Sequence, residues 1–136
     1  MIRVYTDMAA DLFHVGHLNL IKRAKEYGDY LIVGIHSDND IAQYKRRPII
    51  PDVQRYQIVE ACSYVDEIVR SAPLFMSKEF ILENKIDVIV RGNDVTEAHL
   101  KQQAAAIEMG IMKYLPRTEG VSTTDIIDKI REEYQI

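Results

Sequence analysis

Short apolar runs alternate with helix-like segments along the whole chain, and this alternation restricts the fold more than any other feature. The run 30–35 is almost continuously apolar, which is typical of a strand buried on both faces of a sheet. We predict strands at 2–6, 30–35, 67–70, 86–90 and 111–115, and helices at 18–27, 38–42, 52–63, 77–84, 97–109 and 123–134. Because the two kinds of segment alternate, they predict an α/β fold with a parallel sheet and right-handed crossovers.

Three residues mark the ends of predicted helices. Asp52 and Ser77 stand where an N-cap is needed, since their side-chain oxygens can accept hydrogen bonds from the backbone N–H groups of a first turn. Gly110 follows the segment 97–109 and is expected to end that helix in a left-handed conformation.

The length and charge of the chain exclude several classes of function. With 136 residues the chain fits one domain, 1–136. A net charge of −4 argues against sequence-independent binding of nucleic acid, which needs a basic face. No apolar run approaches the ~20 residues that span a bilayer, and the N-terminus does not resemble a secretion signal. The single Cys62 cannot form an internal disulfide, which fits a reducing compartment. We therefore expect a cytoplasmic protein without a stable membrane anchor.

Polar clusters follow the carboxyl ends of three predicted strands. They are the segments 7–17, 91–94 and 117–125. In parallel sheets, ligands bind beyond the carboxyl ends of the strands, at the point where the strand order reverses. We therefore expect these three segments to meet at one edge of the sheet.

The first cluster contains His14 and His17, which stand at the start of a predicted helix. Side chains three residues apart share one face of a helix, and the N–H groups of a first turn carry partial positive charge. This combination suits a polyphosphate. The pair is also compatible with a simple polar patch or with two ligands of a metal. Zinc is disfavoured, because the chain has one cysteine and because His36 and His99 lack ligand spacing.

The cluster 117–125 has the features of a second phosphate site at a helix start. Gly120 permits a tight turn, and Ser122 stands three residues before Asp125, which is a capping spacing. Helix capping alone would also explain these residues. Arg117 adds a planar fork of donors that suits a phosphate or a base edge.

Lys45, Arg46 and Arg47 form the densest cationic run of the chain. A solvated loop is one interpretation. Because Lys45 lies in the longest predicted loop, a lid that carries its charge onto a phosphate is the other. Arg55, in the helix that follows, is either a surface residue or a support for the same site.

Segments 11–17 and 117–125 resemble the two signatures of the cytidylyltransferases, a family of nucleotidyltransferases named for a His-x-x-His motif. The resemblance extends from Val4 to Ile130, and segments 64–67 and 91–94 add to it. The chain is most similar to the ethanolamine-phosphate and choline-phosphate enzymes of this family. Segments 28–38 and 92–94 are especially like the ethanolamine-phosphate enzyme.

The resemblance implies a Rossmann-like sheet of order 3-2-1-4-5 with helices on both faces. It implies a reaction in which CTP and a small phosphorylated alcohol give a CDP-alcohol and pyrophosphate, through in-line attack of the substrate phosphate on the α-phosphorus. Mg²⁺ would accompany CTP and screen its β- and γ-phosphates, without direct ligation by a side chain. Family members of this length usually pair, so a homodimer is expected.

The resemblance also implies roles for individual residues. The catalytic residues are His14, His17, Lys45 and Arg117; the histidines stabilise the triphosphate and the transition state, and Lys45 bridges the two reacting phosphates. The nucleotide-binding residues are Ala9, Ala10, His14, Gly16, His17, Asn93, Asp94, Arg117, Thr118, Glu119, Gly120, Val121, Ser122, Thr123 and Thr124. The substrate-binding residues are Asp7, Lys45, Leu74 and Glu97.

Two residues of the first signature depart from the family pattern. Met8 and Ala10 stand where the family usually has glycine and phenylalanine. A cavity of different shape is therefore expected. A nucleotide-binding module without activity is the alternative that these two residues suggest.

A third departure concerns the alcohol. Leu74 stands where the choline-phosphate enzymes have an aromatic residue that helps to cage a quaternary ammonium. Choline phosphate is therefore expected to be a poor substrate. Ethanolamine phosphate or a close analogue is the expected one, with Asp7 and Glu97 as acceptors for a primary ammonium. Glycerol 3-phosphate and choline phosphate are the alternatives.

Overall fold

The computed structural model describes residues 1–134. Its strands are β1 (Arg3–Met8), β2 (Tyr30–Ile35), β3 (Glu67–Arg70), β4 (Val88–Gly92) and β5 (Met112–Leu115). Its helices are α1 (Val15–Lys25), α2 (Asp38–Ala42), α3 (Asp52–Glu60), α4 (Lys78–Glu83), α5 (Glu97–Gln102), α6 (Ala104–Glu108) and α7 (Thr123–Tyr134). Among the described residues, no helix is both long and apolar enough to cross a membrane.

The five strands form one parallel sheet in the order β3-β2-β1-β4-β5. The central strand β1 pairs with β2 along its whole length, from Arg3 opposite Tyr30 to Met8 opposite Ile35. Its other neighbour is β4, so the strand order reverses at β1 and opens a crevice at the carboxyl ends of these strands. The predicted α/β class, parallel sheet and strand order are confirmed.

Two hydrophobic clusters cover opposite faces of the sheet. In β1, Val4 belongs to one cluster and Tyr5 to the other, because neighbouring residues of a strand point to opposite faces. The first cluster includes Ile21 of α1 and Val59 of α3, and the second includes Ile81 of α4. Helices therefore pack on both faces, as predicted.

Strands β1 and β4 each reach two residues further towards the crevice than predicted. β1 ends at Met8 rather than at residue 6, and β4 ends at Gly92 rather than at residue 90. The prediction ended these strands just before the charged residues Asp7 and Arg91, but both residues still pair with the neighbouring strands. Asp7 and Arg91 are consequently held by the sheet rather than by loops.

Helix α1 begins at Val15, three residues before the predicted start. His14 is its N-cap, because the Nδ1 atom of His14 accepts a hydrogen bond from the Gly16 N–H at 3.0 Å. Histidine is not among the residues that usually cap helices, so the apolar pattern alone placed the start at Leu18. The histidine pair is therefore part of the helix start itself.

Two of the predicted helix ends are confirmed and one is wrong. Ser77 caps α4, and Gly110 has a φ of +70° after α6. Asp52 was predicted to be the N-cap of α3, but Pro51 occupies that position and Asp52 is the first helical residue. The Asp52 carboxylate instead accepts a hydrogen bond from the Asp38 N–H at 2.9 Å, which ties α3 to α2.

The predicted helix 97–109 is two short helices, α5 and α6, which meet at Gln103. Gln103 is 1% exposed, and its Oε1 accepts a hydrogen bond from the Tyr114 hydroxyl at 2.8 Å. Its backbone, with φ −102° and ψ 6°, leaves the helical conformation. The buried amide explains why the helix bends at a position that the apolar pattern does not mark.

Candidate functional site

A cavity of about 410 Å³ opens at the carboxyl edge of the sheet and collects the polar segments of three strands. The predicted residues that line it are Asp7, Ala9, His14, Gly16, His17, Lys45, Asp94, Arg117, Thr118, Val121, Ser122, Thr123 and Thr124. Within residues 1–134, six other predicted residues lie outside this lining: Ala10, Leu74, Asn93, Glu97, Glu119 and Gly120. The structure thus brings the three strand-end segments together but does not bring Leu74 and Glu97 to the cavity.

The rings of His14 and His17 lie against each other, with centroids 3.9 Å apart and planes inclined by 33°. The Nδ1 atom of His14 accepts from the Gly16 N–H at 3.0 Å, and the Nδ1 atom of His17 accepts from the His14 N–H at 3.1 Å. A neutral imidazole whose Nδ1 accepts must carry its proton on Nε2. Both rings therefore offer an Nε2–H donor.

The surroundings of the two histidines disfavour their charged forms. Burial first, and then the charges of His14 and Lys45, lower the pKa of His17 to about 4, although Asp11 opposes them. Burial, with the charge of Arg117, lowers the pKa of His14 below its usual value. Near neutral pH the pair consequently acts as two uncharged hydrogen-bond donors.

Gly16 is required by the packing of the histidine pair. A Cβ atom at this position would lie 2.8 Å from Cε1 of His14 and 3.4 Å from Cγ1 of Val121. The first distance is shorter than carbon atoms tolerate. The absence of a side chain therefore allows the His14 ring to fold back onto its own helix start.

The start of α7 faces the histidine pair across the cavity. Ser122 caps this helix through a hydrogen bond from the Asp125 N–H at 3.0 Å, as its spacing predicted. The Thr123 hydroxyl donates to the Asp11 carbonyl at 3.0 Å and lies 3.5 Å from Nε2 of His14. Two helix starts, each with positive backbone potential, thus face one space.

Cationic side chains border the same space. Lys45 lines the cavity with its Nζ 5.6 Å from the centre of the Tyr44 ring, and burial, then the charge of Arg46, lower the pKa of Lys45 from its ordinary value. Arg46 donates to the Thr124 hydroxyl at 3.4 Å, which brings the loop after α2 to the start of α7. Arg117 lies 3.6 Å from the Asp94 carboxylate, and both side chains are more than half exposed.

Two residues that hold this loop in place were not predicted as site residues. Asp11 accepts hydrogen bonds from the N–H groups of Ile49 and Ile50, both at 2.9 Å. Its carbonyl accepts the Thr123 hydroxyl. Asp11 therefore joins the loop after β1, the loop after α2 and the start of α7. The sequence could have indicated Asp11, because this residue lies inside the first signature.

Arg55 is the second of these residues, and its side chain is fully buried. Its guanidinium donates to the carbonyls of Ala9, Ile50 and His36 and to the Asp38 carboxylate, the last at 2.7 Å. It therefore links the ends of β1 and β2 to the loop after α2. Of the two interpretations of Arg55, the structure favours the support of the site.

Asp7 is buried in the floor of the cavity and faces two cations. Its Oδ1 lies 3.1 Å from the Arg91 guanidinium, and its Oδ2 lies 3.3 Å from Nε2 of His36. The angles of both contacts fall outside those of a hydrogen bond, so among the described residues neither oxygen has a directed donor. From the sequence we predict Asp7 as an acceptor for a substrate ammonium and segments 7–17 and 91–94 at one edge of the sheet, but not the contacts of Asp7 with Arg91 and His36.

The surroundings of His36 favour its charged form. Its Nδ1 lies 3.0 Å from the Ala72 carbonyl and its Nε2 faces Asp7, so both ring nitrogens face acceptors. Burial lowers the pKa of His36, but Asp7 and the Ala72 carbonyl outweigh burial and raise it above 6.5. Burial likewise raises the pKa of Asp7, and Arg91 and His36 outweigh it, which leaves that pKa below its usual value.

Met8 and Ala10 pack in the same hydrophobic cluster beneath the cavity. Met8 is 8% exposed and also lines the cavity, whereas Ala10 is 1% exposed. Ala10 and Leu12 have φ angles of +57° and +48°, a left-handed conformation that non-glycine residues rarely adopt. The strained segment turns the chain sharply from β1 to the histidine pair.

The aspartates and histidines of the cavity lining are spread over the site. Within residues 1–134, no three His, Cys, Asp or Glu side chains are grouped closely enough to hold an ion. The Asp11 carboxylate is occupied by backbone N–H groups, and Asp7 and Asp94 are paired with arginines. The side chains therefore do not form a resident metal site.

Residues 9–129 match the cytidylyltransferase-like family. The chain belongs to this family. The match includes both facing helix starts, the Lys45 loop and most of the cavity lining. The resemblance noted in the sequence is thereby confirmed.

Curated relatives carry names of cytidylyltransferases. The probable ethanolamine-phosphate cytidylyltransferase of Encephalitozoon cuniculi (strain GB-M1) is 39% identical over 94% of this chain and 40% of its own length. The choline-phosphate cytidylyltransferase A of Homo sapiens is 37% identical over 99% of this chain and 38% of its own length. The chain thus spans about two fifths of these relatives.

Solved structures share the fold. The lipopolysaccharide core biosynthesis protein from Thermoplasma volcanium GSS1 superposes with a TM-score of 0.70 at 24% identity, over 90% of this chain and 99% of that one. Pantoate-beta-alanine ligase from Francisella tularensis gives a TM-score of 0.53 at 19% identity, over 99% of this chain and 71% of that one. At these identities the likeness concerns the architecture alone.

Proposed function

We propose that this chain transfers CMP from CTP to a small phosphorylated alcohol and releases pyrophosphate. Membership of the cytidylyltransferase-like family supports the reaction class. The observation that carries the proposal is the pair of Nε2–H donors on His14 and His17, which face the start of α7 across a cationic cavity. Such an arrangement stabilises negative charge that develops on phosphates during the reaction.

In the proposed reaction, an oxygen of the acceptor phosphate attacks the α-phosphorus of CTP in line. The bond from the α-phosphorus to the bridging oxygen breaks, and pyrophosphate leaves with that electron pair. The Nε2–H groups of His14 and His17 donate to the phosphate oxygens that gain charge, and Lys45 lies between the two reacting phosphates. Arg117 and the hydroxyls of the α7 start hold the nucleotide. Positioning and electrostatics suffice for such a transfer, without a protein nucleophile.

CTP enters this proposal together with a divalent cation on its β- and γ-phosphates, with Mg²⁺ as the expected ion. Because the described side chains form no resident metal site, no step is assigned to a protein-held metal. The homodimer implied by the resemblance also belongs to the proposal, and sedimentation of the pure chain tests it.

Two acceptor alcohols follow from different observations. Ethanolamine phosphate, or a close analogue, is favoured by the names of the curated relatives. Glycerol 3-phosphate is favoured by the two cations that already face Asp7, since they occupy the carboxylate that a substrate ammonium would need. Choline phosphate has the least support, because the position after Pro73 holds Leu74, not an aromatic residue, and that side chain lies outside the cavity lining.

The test is the release of pyrophosphate from CTP with a panel of acceptors, in the presence of Mg²⁺. We expect release with at least one of ethanolamine phosphate, glycerol 3-phosphate and choline phosphate, together with formation of the CDP-alcohol. Replacement of CTP by ATP should abolish most of the activity. If CTP binds but no acceptor supports release, the chain is a nucleotide-binding module and the proposed reaction is wrong.

A further inference from the structure

The cluster of Asp7, His36 and Arg91 is the part of the cavity that the proposed phosphate chemistry does not use. All three side chains line the cavity, and each comes from the end of a different strand or from the residue after it. Asp7 is 3% exposed and His36 is 5% exposed, so the cluster is largely shielded from water. Its charges therefore act strongly on any ligand that reaches the floor.

The charges of this cluster do not cancel. Arg91 carries one positive charge, and acceptors at both Nδ1 and Nε2 of His36 favour a second positive charge on that ring, whereas Asp7 supplies one negative charge. The floor consequently has a net charge of about one positive unit. An ammonium group placed there would meet two cations for each carboxylate, and a hydroxyl or carboxylate would meet two donors.

The position of the cluster points to the acceptor alcohol rather than to the nucleotide. In β1, Val4 and Met8 point to the face of the sheet on which α1 packs. Side chains alternate along a strand, so Asp7 points to the opposite face. The histidines proposed to donate to phosphates stand at the start of α1. Lys45 lines the same cavity, and its Nζ lies 5.6 Å from the centre of the Tyr44 ring. An alcohol whose phosphate reaches Lys45 would extend its other end towards Asp7 and Arg91.

We infer that Arg91 selects the acceptor alcohol by the charge of its distal group. The cavity takes a phosphorylated alcohol whose distal group is a hydroxyl or a carboxylate rather than an ammonium. Arg91 does this in two ways. It occupies the Oδ1 side of Asp7 at 3.1 Å, and its guanidinium, with 20% of the side chain exposed, remains able to donate to a ligand. The inference rests on the proposed function, because it concerns the acceptor of that reaction.

Three acceptors of nearly equal size test this inference. Ethanolamine phosphate, 2-hydroxyethyl phosphate and phosphoglycolate carry a positive, an uncharged and a negative distal group on a two-carbon frame. For the wild-type chain with CTP, we expect kcat/KM to be roughly tenfold or more higher for the hydroxyl or the carboxylate than for the ammonium. A preference of the wild-type chain for ethanolamine phosphate would overturn the inference.

Variants of Arg91 separate its role from that of the rest of the cavity. Arg91→Gln should shift the ratio of kcat/KM for ethanolamine phosphate over 2-hydroxyethyl phosphate by roughly tenfold towards the ammonium, mainly through KM. Arg91→Lys keeps the charge and should keep the wild-type ratio. Arg70→Gln, at an exposed ion pair with Glu60, is the matched control and should leave the ratio unchanged. An unchanged ratio in folded Arg91→Gln contradicts the inference.

Equilibrium binding of the same three acceptors to the CTP-loaded wild-type chain gives a second readout, which does not depend on turnover or on a variant. If no acceptor releases pyrophosphate, the proposed function fails, while the order of binding still tests the role of Arg91. Tighter binding of ethanolamine phosphate than of both other acceptors would refute that role. Tighter binding of the hydroxyl or carboxylate acceptor supports it.

Discussion

The histidines of the cavity are the same side chain in surroundings that favour opposite protonation states. His14 and His17 each use Nδ1 to accept a backbone N–H group, and burial lowers the pKa of both. His36 places both ring nitrogens against acceptors, and its pKa is raised. Two features account for the difference: the Asp7 carboxylate beside Nε2 of His36 raises the pKa of that ring most, and the Ala72 carbonyl at its Nδ1 adds to this, whereas Nδ1 of His14 and of His17 faces an N–H donor.

This contrast indicates different roles for His36 and for the histidine pair in the proposed reaction. The uncharged pair can donate to phosphates without the energetic cost of burying two cations. A bound phosphate would raise the pKa of both rings. The charged His36 is instead neutralised by Asp7 and acts on whatever lies beside that carboxylate. In the proposed reaction, phosphate binding and the choice of alcohol would thus depend on separate groups.

The residue that joins the two regions should give the largest effect when it is removed. Arg55 donates to the carbonyl of Ala9, next to the histidine pair, and to the carbonyl of His36. Arg55→Met leaves these carbonyls and the Asp38 carboxylate without their buried donor, so the free energy of unfolding should fall by about 3–5 kcal/mol. Urea denaturation measures the change.

Arg70→Met is the control for this experiment, because Arg70 forms an exposed ion pair with Glu60. It should cost at most about 1 kcal/mol. Equal losses of stability in Arg55→Met and Arg70→Met would show that Arg55 does not hold the two regions together.

A substitution at His14 separates its capping role from its donor role. His14→Asn keeps a side chain that can cap α1, but it removes the Nε2–H group that lies 3.5 Å from Thr123. The value of kcat/KM for pyrophosphate release should fall by about 10²–10³-fold, the usual effect of losing one donor to a developing charge. The free energy of unfolding, measured by thermal denaturation, should change by less than about 1 kcal/mol. If activity falls only as much as the loss of folded protein explains, His14 acts as a helix cap and not as a donor to the phosphates.

The contrast between the two regions also marks what the sequence could reveal. The run 30–35 predicted β2 with its bounds, because burial on both faces leaves an uninterrupted apolar signal. The histidine pair and the 117–125 segment were found from their spacing. The cluster around Asp7 was missed, because Arg91 and His36 are distant in sequence and meet Asp7 only through the strand order. Pairings of this kind leave no local periodicity.

Other failures have the same cause. Gln103 interrupts the predicted helix 97–109 because it reaches the Tyr114 hydroxyl on the neighbouring strand β5, and Arg55 is buried because three segments supply acceptors around it. Polar residues with tertiary partners behave differently from the solvated side chains that their sequence suggests. The apolar pattern predicted the layers, while the polar contacts between layers required the structure.

Removal of the carboxylate should make His36 more like the other two histidines. Asp7→Asn takes away the charge that stabilises the imidazolium, so the pKa of His36 should fall. His14 and His17 should titrate as in the wild-type chain. The cost in stability should be about 1–3 kcal/mol, because His36 can lose its proton and Arg91 is partly exposed. Nitrogen-detected NMR of the rings measures the titrations, and an unchanged pKa of His36 would show that Asp7 does not hold its charge.

The smallest expected effect of the contrast between the histidines is on the pH dependence of stability. Because the pKa of His36 is raised on folding, its contribution is fully present below about pH 6.5 and is lost as the pH rises through the folded-state value. His17, whose pKa falls to about 4, acts in the opposite sense and makes the fold less stable as the pH falls from 6.5 towards 4. The stability advantage of the wild-type chain over His36→Gln should therefore narrow between pH 6 and 9, by at most about 1.4 kcal/mol per pH unit. His17→Gln should instead reduce the loss of stability below pH 6.5. Urea denaturation across this range measures both, and a difference between wild type and His36→Gln that widens with pH would reverse the assignment of the charged histidine.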